Sequence, residues 1–433
     1  MSNYGGLNMP SLSQTIIANV DAGYIETYLR ECKITRNEDQ KGMQLKYWVD
    51  SLFDEGKIDI VDFEQFLFNE LFWGKRKYIR FYQLEKVNKI KLPEDWFEFF
   101  DKNFNLSQLD TELEYCNILG TIADSKETRK VAAIKSIENN KGELDKIQIL
   151  FSTYIEVLSS RKISEENTYF PVEIDFNKRQ LTIKAWVRQG LNDYYKIDAL
   201  MDSLITFLCS TCGISCKSYE QSHKKTLFRM SQGLIDQIYT NIPSFSKIES
   251  ISSLINNFTQ SVYEGLPLKN IKKSEGKTTI SKGVLDFEDE IYKVIEKLCV
   301  SDFFYDVPYE DIWGLTGVEA VISKIRFNDI EHVLTSLSGE DSSVPIFCTK
   351  TFMALKKSLE DAEMVERLWV EKSRSKGRLS LSFDATKEEY FSVRVLSGIR
   401  FKEEDLIVAE EIYKQYESGD IAETWNQDKR NVV

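Results

Sequence analysis

Histidine is almost absent from this chain: His223 and His332 are the only two among 433 residues. Imidazole is the usual proton shuttle and metal ligand near neutral pH, so mechanisms that need it have just two places to sit. The phosphate cradle G-x-x-x-x-G-K-[ST], a G-x-G-x-x-G after a strand, G-x-S-x-G, H-E-x-x-H and the EF-hand loop are all missing. A metal-dependent nuclease of the D…(D/E)-x-K kind comes no nearer than Asp175 with Lys184, where Thr182 stands in place of the second acid. These absences point away from catalysis and toward binding.

Long apolar runs are missing as well. No stretch approaches the roughly 18 apolar residues of a membrane span, and the opening MSNYGGLNMPSLSQ has no charged-then-apolar leader pattern. The cysteines number seven, and Cys32, Cys116, Cys299 and Cys348 stand singly. A disulfide framework would be denser and more even. The expectation is a soluble cytoplasmic protein with free thiols and no membrane partner. Prolines are few, and Lys, Glu, Ile and Asn are abundant, as in proteins of AT-rich bacterial or phage genomes.

What the chain has in quantity is apolar and acidic material. Hydrophobic residues make up 42% and aromatics 12%, ample for burial. The net charge of −13 opposes coating of nucleic acid over the whole surface but leaves room for a local basic groove. The length fits two or three domains.

Periodicity divides the chain. Leu45, Trp48, Val49, Leu52 and Phe53 form one helical stripe, and 62–72 reads as a second helix with Asp62 as N-cap and Gly74 beyond its end. KRKYIRFYQL alternates as a strand, Pro93 opens another helix, and 125–160 reads as a long helical run. A hairpin follows at 170–185, then helices at 196–209 and 225–240. The stretch 268–283, with five Lys and one Glu, reads as a linker. Beyond it, Asp286–Glu340 holds 13 acids against four bases, with helices near 286–300 and 317–337. A second hairpin, 379–395, and a helix at 403–417 close the pattern. The expected fold class is α+β and multi-domain. A helix-rich region at 1–150 carries a basic strand in a winged-helix-like plan, and a hairpin-helix domain spans 151–267. The linker separates these from an acidic helical region with a second hairpin-helix domain at 284–433. The repeated hairpin-then-helix order shares no residue pattern beyond its periodicity.

Three clusters carry candidate chemistry. Cys209, Cys212, Cys216 and His223 place four zinc-type donors within CSTCGISCKSYEQSH, and Gly213 allows the tight turn of a metal knuckle. The spacing matches no standard zinc module, and the same cysteines continue the apolar stripe of helix 196–209 as small core residues. Zinc is the one cofactor the sequence suggests. Second, Arg326 and His332 sit six apart in the run 317–337, an arrangement similar to the R-x(4–6)-H element of HEPN-type ribonucleases. That resemblance implies imidazole for proton transfer and guanidinium for the anionic transition state. Phe327 departs from the polar residue usual there, six positions turn a helix through roughly 600°, and Asp329 and Glu331 would repel RNA.

The third cluster is GKRKYIRFYQLEKVNKIK. Lys75, Arg76, Lys77 and Arg80 interleave with Tyr78 and Tyr82, cations for phosphate and rings for bases. The competing reading is an ordinary strand whose aromatic face is core. Taken together, the residues favour a non-enzymatic subunit that binds nucleic acid or a protein partner within a bacterial multi-protein system of the antiviral-defence kind. Its basic segments would dock on an acidic surface such as 286–340 of a second copy. A hydrolytic effector using Arg326 and His332 is the alternative.

Overall fold

The computed structural model describes residues 10–417, apart from 87–89, 107–108, 110–112, 160–161, 189, 192, 275–276, 282–283, 309–310, 312–313, 315–316, 329–332, 340–344, 375–376, 397 and 399. The fold is mixed α+β with antiparallel sheets. The chain divides into two units, one formed by 1–223 with 383–410 and the other by 224–382 with 411–433. Each boundary falls inside a helix or strand, at 223, 382 and 410, and none falls in the lysine-rich stretch at 268–283.

In the first unit, helices α1 (Gln14–Val20), α2 (Ala22–Glu31), α3 (Leu45–Asp54) and α4 (Ile60–Phe72) precede strand β1 (Tyr78–Lys86). The N-cap of α4 is Asp59, not Asp62: its carboxylate accepts from the Val61 and Asp62 amides at 2.8 and 3.0 Å. Asp62 instead stands in the first turn, where the helix dipole favours an acid. Helix α5 (Pro93–Phe104) follows, then β2 (Tyr115–Cys116), β3 (Arg129–Glu138), β4 (Leu144–Ser159), β5 (Lys162–Asp175), β6 (Gln180–Ala185), α6 (Ile197–Thr211) and β7 (Ser215–Lys217). The expected helix over 125–160 is therefore two strands. The misreading has a physical cause: Ile147, Ile149 and Phe151 pack on one face of β4 while Leu150 packs on the other, so both faces are apolar and the alternation disappears. A bulge between Val131 and Ala133 further scrambles β3, placing Ala132 and Ala133 on the same side.

One core layer joins this sheet to α5 and α6 through Trp96, Phe100, Met201 and Leu208. The other joins it to α1–α4 through Ile16, Leu29, Val49, Phe63 and Leu67. Strand β1 pairs with β6 along Tyr78–Gln83, and from Gln83 onward with β7.

In the second unit, helix α7 (Ser222–Thr240) leads to α8 (Ser252–Gly265). The lysine-rich stretch expected as a linker is a hairpin, β8 (Ile271–Ser274) with β9 (Lys277–Ile280), in which Ile271 and Ile280 are partners at the open end. Helix α9 (Phe287–Phe303) follows. The expected helix 317–337 is instead β10 (Ala320–Asn328) and β11 (Leu334–Ser338), paired antiparallel. Val321, Ile325 and Phe327 are buried in β10 alongside its partners. Helix α10 (Lys350–Ala362) and strand β12 (Arg367–Ser373) complete this part, β12 lying beside β10. Strand β13 (Arg378–Asp384) carries a unit boundary; β14 (Phe391–Val395) returns to the first unit along β1, and α11 (Glu403–Lys414) comes last. Among the described residues no helix is long and apolar enough to cross a membrane.

Candidate functional site

The basic run 75–82 is sorted by the turn that introduces it. Gly74 has φ +35, and a Cβ there would lie 2.5 Å from the Glu70 carbonyl oxygen, so only glycine lets α4 turn directly into β1. Gly74 also bridges to Phe401, which ties the turn to the segment after β14.

Lys75 is half-buried; its Nζ donates to the Ala18 carbonyl at 2.8 Å, stands 3.8 Å from Asp21 and lies 4.6 Å above the Trp186 ring. Lys77 is half-buried, and burial lowers its pKa while Asp405 opposes the shift. Tyr78 donates to Asp198 at 2.9 Å and lies beneath the Arg394 guanidinium, 4.1 Å from its ring centre.

Tyr78 is itself buried at the cavity wall, and the remaining candidates of this set are buried as well. Arg76 is fully buried, donating to the backbone and side-chain oxygens of Asn19 at 2.8 and 2.7 Å. Burial without a carboxylate pushes its pKa down to about 9. Arg80 is also fully buried, ion-paired with Asp198 and Asp202 and lying 4.1 Å from the Tyr390 ring. Tyr82 is buried, and burial pushes its pKa up to about 12. Arg76, Arg80 and Tyr82 therefore hold the fold together and do not face a ligand. Tyr78, Arg80 and Tyr82 share one side of β1 as alternation requires, but α6 covers that side with its two aspartates.

Lys75, Lys77 and Tyr78 open onto a cavity of about 490 Å³ that other segments complete. Tyr24 and Asp21 come from the α1–α2 corner, Trp186 from the end of β6, and Arg394 and Arg400 from β14 and beyond. Arg394 is the register partner of Tyr78, so sheet pairing sets it at the mouth. Arg400 donates to Glu70 from Nε at 3.0 Å and lies 4.6 Å from the Tyr24 ring. Among the described residues Asp21 is the one acid of the lining, against Lys75, Lys77, Arg394 and Arg400. Its backbone is strained at φ 101, a conformation that costs free energy and persists where surroundings hold it. The strain ends α1 and starts α2 without a spacer, since Asp21 also caps α2 through the Gly23 amide. Arg394, Arg400, Trp186 and Tyr24 lie far from the basic run in sequence, and alternation within β14 was the only local hint of any of them. Chemically, the cavity offers cations for an anion and ring faces for a planar group.

The other two clusters come apart. Cys209 and Cys212 end α6 and pack with Cys216 of β7 against the core. The Cys216 thiol donates to Cys209, lowering the Cys209 pKa to about 7 and raising its own. His223 is carried away at the start of α7, where its ring stacks between Tyr219 and Phe391 at 4.1 and 4.4 Å. Burial there pushes its pKa down to about 4. Among the described residues no three His, Cys, Asp or Glu side chains converge to hold a metal, so the expected zinc set is not assembled. Arg326 lies on strand β10, not on a helix, and its Nε donates to Glu366 at 3.1 Å. His332 lies outside the described residues.

No protein-family model matches this chain, and no curated protein matches it.

Proposed function

We propose that this chain is a binding protein whose basic, ring-lined cavity takes a single strand of nucleic acid. The observation that carries this reading is the convergence of Lys75, Lys77, Arg394 and Arg400 with Tyr24, Tyr78 and Trp186 on one cavity, in a chain of net charge −13. Cations answer phosphate, and exposed ring faces answer bases without reading sequence. The volume accommodates a nucleotide or two at a strand end, within the range of ordinary ligand sites. As part of a bacterial multi-protein system, such a module would deliver recognition while chemistry lies elsewhere. The hydrolytic alternative draws no support from Arg326, whose guanidinium is engaged by Glu366.

The test is fluorescence anisotropy with a labelled single-stranded oligonucleotide of about 12 nucleotides, across roughly 50–200 mM salt. Replacing Lys77 and Arg394 together by Ala should flatten the salt slope by roughly 1.4, about 0.7 per phosphate contact. Trp186→Ala should weaken binding by about 1–3 kcal/mol while leaving the slope in place. Affinity and slope that stay unchanged in both variants would remove the cavity from nucleic-acid binding.

A further inference from the structure

A second cavity of about 670 Å³ in the same unit shares no lining residue with the first. Arg129, the first residue of β3, reaches into it. Its guanidinium lies 5.0 Å from the Phe207 ring, and Nη2 donates to Ser203 at 3.3 Å. Its Nε is buried and makes no hydrogen bond. Among the described residues no carboxylate pairs with Arg129. Glu127, the acid of the lining, is engaged by Lys130 at 2.9 Å. Burial lowers the Arg129 pKa with no neighbouring acid to oppose it.

The contrast with Arg80 is instructive. Arg80, on the same sheet, is buried and answered by two aspartates, whereas Arg129 is half-buried, with its Nε enclosed and no acid paired with it among the described residues. A guanidinium taken from water without a counter-charge is costly, and its fork matches a carboxylate or phosphate in two parallel bonds. The rest of the wall is organic in character. Phe104 and Phe207 meet edge to face at 5.9 Å, Tyr115 stands half-exposed beside them, and Asn105 and Thr128 supply polar groups. The volume lies in the middle of the range for small-molecule sites and exceeds what inorganic phosphate alone would fill.

We propose that this cavity binds a small organic phosphate bearing a planar ring, of the size of a nucleoside monophosphate, with Arg129 as the anion receptor and Phe104 and Phe207 as the ring wall. The site is separate from the strand-binding cavity, so the ligand would accompany nucleic acid and not compete with it.

The experiment is isothermal titration of the full chain with adenosine monophosphate, adenosine, inorganic phosphate and phenylacetate, in parallel with the Arg129→Met variant. The expected result is binding of adenosine monophosphate, with adenosine and phosphate each much weaker. Arg129→Met should weaken it about ten- to a hundredfold, the loss expected for charge-assisted hydrogen bonds. The same variant should not lower the thermal midpoint, because it removes a half-buried charge with no paired acid and keeps an apolar side chain on Phe207. A lowered midpoint would assign Arg129 a structural role and overturn the proposal. So would the absence of adenosine monophosphate binding at millimolar concentration, or equal affinity in the variant. Phenylacetate binding more tightly than the phosphate would overturn the phosphate assignment in favour of a carboxylate. Oligonucleotide anisotropy of Arg129→Met should match the parent, which separates failure here from failure of the strand-binding reading.

Discussion

At the scale of single residues, the buried cations are the most informative feature of this molecule. Lys184 is fully buried on β6, with its Nζ 3.2 Å from the Trp73 ring centre and 4.1 Å from that of Phe72. Burial pushes its pKa down to about 7, and Glu173 opposes the shift. The folded value thus lies below the roughly 10.4 of an unfolded lysine. Below about pH 7 both states are protonated and the cost of the buried charge is fully present. As pH rises from about 7 toward 10.4 the unfolded state holds the extra proton, and folding gains stability. Lys184→Met should therefore be more stable than the parent by up to about 4–5 kcal/mol at pH 6, with the difference vanishing near pH 10.5. Glu173 would keep Gln148 at 2.7 Å and Lys146 at 3.3 Å, so the change does not strand it. Urea melts at the two pH values check this; a variant less stable at pH 6 would show that the lysine's ring contacts outweigh its charge. The same logic sorts the basic run. Interleaved Arg and Tyr can be a ligand surface or a buried ion-pair network, and acids on a distant helix decide which.

At the scale of elements, helix α4 links the core to the candidate site. Its apolar face supplies Phe63, Leu67 and Leu71 to one core layer, and its end positions Gly74 and Lys75. Asp59 caps it through two amides, so Asp59→Ala should cost about 1 kcal/mol. The urea midpoint should fall while the m-value stays constant, and oligonucleotide affinity of the folded protein should not change. An unaltered midpoint would mean that tertiary packing alone sets the start of α4. The strand elements show where pattern reading succeeds and fails. β5 and β6, which carry acids and lysines between apolar residues, alternate legibly. β3, β4 and β10 do not, because helices cover both faces of the first two and bulges break the period in β3 and β10.

At the scale of the whole molecule, an acidic chain gathers cations on one cavity wall. The chain carries −13, yet among the described residues four cations and one acid line the cavity entered from β1, with Arg400 paired to Glu70 behind the wall. Salt should therefore act in two directions. Raising sodium chloride from about 50 to 200 mM should relieve acidic self-repulsion and raise the thermal midpoint, while weakening oligonucleotide binding severalfold. Thermal melts and anisotropy over one salt series test both. Binding that strengthens with salt would mean that apolar contacts, not phosphate pairing, dominate.

The amino-acid sequence alone determined most helices, the second hairpin and the presence of a basic, ring-bearing strand, because amphipathic periodicity and turn residues act over a few positions. Of the six residues it singled out in that strand, Lys75, Lys77 and Tyr78 line a cavity, while Arg76, Arg80 and Tyr82 are buried away from it. Only the tertiary structure decided which cations line a cavity and which meet a buried acid or amide. Arg394 reaches Tyr78 through strand pairing, His223 leaves the cysteines because α7 carries it to Phe391, and Arg129 has no acid paired with it among the described residues. Each of these outcomes depends on residues far apart in the chain, and electrostatic partners at such separations leave no mark on local pattern.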